Sequence, residues 1–164
     1  MKRKLSIISI FLFVLLVSGC LSTATTTYYL GAKADETGVV YLYEERAEQQ
    51  QWQDLYVTVN YSFTRQGDQF NIDGLFSFSD SPKITYDTVY DVKLKFFLLD
   101  KDMLVVDYLD ISRTLGRDIE DNVAFNQDLV LAENVVAFTF GYEGLFGDDE
   151  GNGYVIMKLP KRDF

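Results

Sequence analysis

Apolar and polar residues alternate along most of the chain, which is the period-two signature of strands with one face buried. Val57, Val59, Tyr61 and Phe63 share one face, with Tyr56, Thr58, Asn60 and Ser62 opposite. After Gln66-Gly67-Asp68, a turn by composition, Phe70, Ile72, Phe76 and Phe78 line one side while Asn71, Asp73 and Ser77 line the other. The two segments predict an antiparallel hairpin. Gly74 falls in the apolar row and predicts either a bulge or a close backbone approach.

The pattern resumes after a break at Asp80-Ser81-Pro82. Val92, Leu94, Phe96 and Leu98 face inward, with Asp91, Lys93 and Lys95 outward. Asp100-Lys101-Asp102 turns the chain into Met103 to Ile111, whose nearly continuous apolarity predicts a central strand. Ser112 to Asn122 is polar and charged and reads as a surface loop. Phe125 to Leu131 is a short strand, and Val136, Phe138, Phe140 and Tyr142 form a further inward row. Gly144 to Gly153 turns the chain into Tyr154 to Leu159, before Pro160. Upstream, Val39 to Tyr43 reads as a strand, and Glu44 to Asp54, rich in Glu, Gln and Arg, favours a short helix by composition.

Seven or eight strands separated by frequent turns predict an all-β fold, an antiparallel β-sandwich with an Ig-like arrangement as its expected form. A barrel is the alternative. The Cys…Trp…Cys signature of true immunoglobulin domains is absent. Residues 34–164 are expected to form one domain.

The first residues follow a different logic. Met1-Lys2-Arg3-Lys4 is a positive head, Leu5 to Val17 is an apolar run of thirteen residues, and Ser18-Gly19 supplies small residues before Cys20. This is the tripartite pattern of a secretory signal. The run is shorter than the roughly 20 residues a membrane-spanning helix needs. Val17-Ser18-Gly19-Cys20 resembles the bacterial lipobox, and Cys20 is the single cysteine of the chain. The resemblance covers only this leader and implies a lipoprotein. Residues 1–19 would form a signal helix, cleaved between Gly19 and Cys20. A diacylglyceryl group would sit on the Cys20 thiol, with acylation of the freed amine. It also implies a bacterial cell envelope location, and Leu21 after the cysteine would direct the protein to the outer membrane in a Gram-negative host. Residues 20–33 then read as the lipidated cysteine and tether, although Thr25 to Leu30 also has the composition to join a sheet.

Charge and composition narrow the functions. Lys2, Arg3 and Lys4 leave with the leader and no acid does, which takes the net charge from −10 to −13. Such a balance argues against nucleic acid, whose binding draws on Lys and Arg neutralising phosphates, and against broad adhesion to anionic headgroups. The chain has no histidine. That removes the usual general base of Ser and Cys nucleophilic sites and the commonest ligand of zinc.

Three sets of residues invite chemistry. Asp148, Glu150 and Asn152, spaced two apart before Gly153, loosely resemble the start of a calcium loop, but Leu159 stands where a bidentate Glu would close it. Asn152-Gly153 is also a hairpin signal on its own. Asp73, Asp107, Asp110 and Glu143 lie on or near strands, and two of them in one cleft would suit glycoside hydrolysis. Tyr28, Tyr29, Tyr41, Tyr43, Trp52 and Tyr56 crowd the N-terminal third, where they either cap the core or present rings to sugars or a partner protein. The expectation is a non-catalytic envelope protein, without a cofactor beyond its covalent lipid, that contacts other envelope proteins. A glycan- or calcium-binding module is the alternative, and a carboxylate-dependent hydrolase is a more distant one.

Overall fold

The computed structural model describes residues 28–162. Two antiparallel sheets carry the fold. The strands are β1 (Val40–Tyr41), β2 (Arg46–Gln53), β3 (Val57–Gln66), β4 (Gln69–Phe78), β5 (Thr88–Leu99), β6 (Val105–Asp118), β7 (Val123–Val130), β8 (Ala137–Gly147) and β9 (Gly153–Lys158). A one-and-a-half-turn helix, α1 (Asp80–Thr85), joins β4 to β5. One sheet runs β2-β3-β4-β7. The other runs β1-β8-β5-β6, with β9 also on β8. The expected all-β sandwich is present; the signal helix over 1–19 lies outside the described residues.

The β3–β4 hairpin pairs from Val57↔Phe78 to Gln66↔Gln69 without a register shift. Gly67 makes the turn possible by taking φ 65°. Gly74 marks a close approach rather than a bulge. A Cβ there would stand 2.3 Å from the Asn60 carbonyl oxygen and 2.9 Å from the Phe125 ring.

The core lies between the sheets and is dominated by aromatic rings. Phe70 on β4 packs with Phe96 on β5 and Phe138 on β8, the closest pair being Phe96–Phe138 at 4.8 Å between centroids. Each fully buried Phe contributes roughly 1.5–3 kcal/mol relative to exposure, so this cluster is the main glue between sheets. A second, smaller core forms on the outer face of the β5 sheet. There Phe97, Leu99, Val105 and Ala137 are covered by Tyr29, Ala32 and Ala34.

Four sequence expectations need correction. Glu44 to Asp54 is not a helix: it carries edge strand β2, with a register shift between Ala47 and Gln50 and Gln49 at φ 52°. A helix would bury only Ala47 and Trp52. As a strand the segment satisfies the open edge of β3, and tertiary pairing overrides propensity. Ser112 to Asp118 is not loop but the second half of β6. Its charged residues suit an edge, where charge blunts unwanted pairing. For the same reason β6 is not central; it ends its sheet, and its apolarity comes from the second core covering its start. Finally, the last turn is residues 148–152 rather than Gly144 to Gly153, with β8 running to Gly147 and Gly151, not Gly153, at φ 83°.

Candidate functional site

The densest arrangement of charged groups lies on the outer face of the β5 sheet. Strand alternation sends Asp91, Lys93 and Lys95 to that face, and the pairing Lys95↔Asp110 and Lys93↔Glu143 sets acids beside them. Lys95 Nζ donates to Asp110 Oδ1 at 2.8 Å and lies 3.2 Å from Glu143 Oε1. Lys93 reaches the same Glu143 oxygen at 3.5 Å. Arg113 grips Asp91 with two hydrogen bonds of 2.8 and 2.9 Å.

Lys95 is only 5% exposed, although it projects away from the main core. The cover is the N-terminal segment, whose Tyr29 ring lies 5.6 Å from the ammonium and packs edge-on against Phe97 and Tyr108. Backbone bonds hold this strap in place: Gly31 N to Val105 O, Ala34 N to Met103 O, and a reciprocal pair between Lys33 and Lys161. Burial by itself would depress the Lys95 pKa and is the largest single effect. The Asp110 and Glu143 carboxylates together outweigh it and hold the ammonium above its usual range. Burial also raises the Tyr29 phenol, with Glu143 adding to it.

Of the four acids that suit a hydrolase, the structure therefore brings two together. Asp110 and Glu143 converge on Lys95. Asp107 is exposed on β6 and accepts a bond from the Tyr108 backbone N–H at 2.8 Å. Asp73 is on the other sheet, in a shallow groove of about 510 Å³ among Gln49, Gln50, Asn60 and Ser62. The converging pair shares one ammonium rather than flanking an open space, so the arrangement neutralises charge.

The Asp148-Glu150-Asn152 loop closes the β8–β9 hairpin with its own hydrogen bonds. Asp148 accepts from the Asn152 backbone N–H at 2.8 Å, from its side-chain amide at 3.0 Å and from the Tyr154 hydroxyl at 3.0 Å. These bonds, the Asn152 amide first, hold the Asp148 carboxyl below its usual range. Among the described residues, no group of three or more Cys, Asp or Glu side chains converges as a cation site.

The N-terminal aromatics divide. Trp52 is buried against Phe140, with Gly38 pressed on its indole nitrogen and Lys158 Nζ 5.3 Å from its ring. Tyr29 is buried and Tyr56 packs half-buried on the core. Tyr28 is exposed at 71%, and Tyr41 and Tyr43 are exposed and stacked, with centroids 5.2 Å apart and planes 7° from parallel. Edge strand β9 adds exposed Val155 and Met157 beside Leu145.

Beside the strap, a groove of about 670 Å³ is lined by Tyr28, Tyr29, Lys33, Met157, Lys158 and Lys161 among others. Neither Lys95 nor this strap was visible as a site from alternation alone. The signal was the run Phe96-Phe97-Leu98-Leu99, apolar on both parities, which means both faces of β5 are covered there. Gly19 and Cys20 lie outside the described residues. No helix among the described residues is long and apolar enough to cross a membrane. Compared with protein-family models, curated proteins and solved structures, the chain shows no significant match to any of them.

Proposed function

We propose that the chain is a lipid-anchored protein of the bacterial cell envelope, whose β-sandwich serves protein–protein contacts at the membrane surface and not catalysis. One observation carries this reading. The single cysteine of the chain, Cys20, stands directly after Val17-Ser18-Gly19 at the end of a thirteen-residue apolar run with a basic head. Two or three acyl chains on that residue would hold the protein durably, since one chain alone binds only marginally.

The sandwich is Ig-like in this reading. β3, β4 and β7 neighbour one another in one sheet and β9, β8, β5 and β6 in the other. The chain crosses between sheets from β4 to β5, β6 to β7 and β7 to β8. Phe70, Phe96 and Phe138 then stand where an immunoglobulin domain keeps its disulfide and Trp. An exposed sheet edge suits contact with a partner chain: β9 offers Val155, 65% exposed, beside Leu145 on β8.

The test has two stages. Wild type fractionates with membranes and carries the added lipid mass, while Cys20→Ser does neither. In-cell crosslinking of the lipidated protein then recovers envelope proteins, and Val155→Lys reduces their yield. A Cys20→Ser variant that keeps both membrane association and lipid mass defeats the anchor. Turnover of a polysaccharide or ester by the purified protein defeats the non-catalytic assignment.

The exposed, near-parallel pair Tyr41 and Tyr43 favours a second reading, a glycan-binding module, because such rings form an apolar platform for sugar faces. Under it, Tyr41→Ala and Tyr43→Ala abolish binding of solubilised wall or surface glycans. Trp52 is too deeply buried to report that event.

A further inference from the structure

We infer that the groove beside the N-terminal strap is the face that rests on the membrane, where its lysines take the phosphates of anionic lipid headgroups. The inference rests on the lipid anchor at Cys20 and adds an orientation to it.

Three independent observations meet at this groove. The first is position. Tyr28 lines it, and eight Cα steps separate Cys20 from Tyr28, a reach of at most roughly 29 Å. The strap from Tyr29 to Ala34 is packed on the domain and adds no slack. The end of the sandwich holding Tyr28 is thus tied within a short radius of the bilayer.

The second is charge. Seven lysines follow Cys20 in the sequence. Lys83, Lys93, Lys95 and Lys101 make salt bridges to Glu120, Glu143, Asp110 and Asp102. Among the described residues the other three, Lys33, Lys158 and Lys161, make none, and all three line this groove. Asp35 is the only acid among its lining residues. A chain with a net charge of −13 after its leader therefore keeps the lysines without a salt bridge, Lys158 over Trp52 and Lys33 and Lys161, on the side its tether leaves from. The rest of the surface is repelled by an anionic leaflet, which favours one orientation over the others.

The third is the apolar share of the groove. Tyr28, Met157, Leu159 and Pro160 stand beside the lysines. Exposed Tyr with flanking Lys is the composition that settles at headgroup level, ring toward the acyl boundary and ammonium toward phosphate.

The test uses the full lipidated chain reconstituted in vesicles of phosphatidylcholine, with or without about one-third phosphatidylglycerol. Flotation is read first, then the rate of amine acylation at each lysine by mass spectrometry. Lys83, on α1 near the opposite end of β5, is the control. On phosphatidylglycerol vesicles, Lys33 and Lys161 react about fivefold slower than on phosphatidylcholine alone, while Lys83 does not change. Lys33→Glu with Lys161→Glu still floats and loses the protection of Lys158. Protein that floats but shows equal rates on both vesicles overturns the orientation and leaves the anchor standing. Equal protection in detergent by millimolar inorganic phosphate overturns it in favour of a soluble-phosphate site. Wild type that does not float removes the anchor and this inference together.

Discussion

Tyr142 on β8 donates a 2.6 Å hydrogen bond to Asp54 Oδ2, joining one sheet to the turn that leads into β3 of the other. The remaining Asp54 oxygen accepts from the backbone N–H groups of Tyr56 and Val57, both at 2.9 Å. One carboxylate thus fixes the start of β3 and the spacing of the two sheets. Replacing Tyr142 by Phe leaves Asp54 short of a donor and should cost about 1–2 kcal/mol in urea unfolding. An unchanged urea midpoint would show that the bond contributes nothing.

The same tyrosine predicts alkaline behaviour. Burial, with the Asp54 bond second, raises the Tyr142 pKa well above 10.0, and burial pushes Tyr61 up to about 12. Unfolded tyrosines lose their protons near 10 while these two keep theirs, so the folded state binds more protons above that pH. Stability is therefore complete below pH 10 and falls as pH rises, by about 1.4 kcal/mol per unit for each such tyrosine. For Tyr61 the loss runs its course by about 12. Urea melts across that window should show a shallower slope in Tyr61→Phe than in wild type, and parallel slopes would remove Tyr61 from the account.

Gly74 and Gly67 separate steric from torsional demand within one hairpin. Gly74→Ala drives a methyl into the Asn60 carbonyl and the Phe125 ring and should cost about 3 kcal/mol. Gly67→Ala meets nothing within 4 Å but must hold φ 65°, for about 1–2 kcal/mol. If thermal unfolding finds Gly67→Ala the more damaging, β3 and β4 do not approach as closely as described.

This hairpin was legible in the sequence because both of its strands bury one face and expose the other, so periodicity alone sets direction and register. Edge strands were not. β2 buries little besides Trp52, and the second half of β6 shows Arg113, Leu115 and Asp118 to solvent; polar composition there imitates helix or loop. The strap was only half legible, because Thr25 to Leu30 has the composition of tether and of strand alike, while Tyr29 and Ala32 owe their burial to Phe97 and Val105 far along the chain. The sequence put Asp110 and Glu143 on or near strands. Only the register, Asp110 beside Lys95 and Glu143 beside Lys93, brings them to one ammonium.

The acidic loop predicts a negative result with calcium. A cation at Asp148 must displace the Asn152 backbone N–H, the Asn152 amide and the Tyr154 hydroxyl. Millimolar calcium should leave the melting midpoint where it is. A midpoint climbing steadily with calcium concentration would mean specific binding to the folded state and would restore the loop as a metal site.

Lys95 couples the strap to the sheet, and its replacements should separate packing from charge. Lys95→Met keeps the buried stem under Tyr29 but leaves Asp110 without its ammonium and Glu143 with Lys93 alone, at about 1–2 kcal/mol. Lys95→Ala loses the stem as well, raising the cost to about 2–3 kcal/mol. Adding Asp110→Asn to Lys95→Met removes the acid left without its lysine and should recover part of the loss, the non-additivity expected of groups in contact. Hydrogen exchange reads the strap directly. The Gly31 and Ala34 amides, bonded to the Val105 and Met103 carbonyls, should exchange faster in Lys95→Ala, while amides of the β3–β4 hairpin keep their protection. Uniform acceleration across both regions would mean that Lys95 supports the whole sandwich and that the strap does not respond as a separate unit.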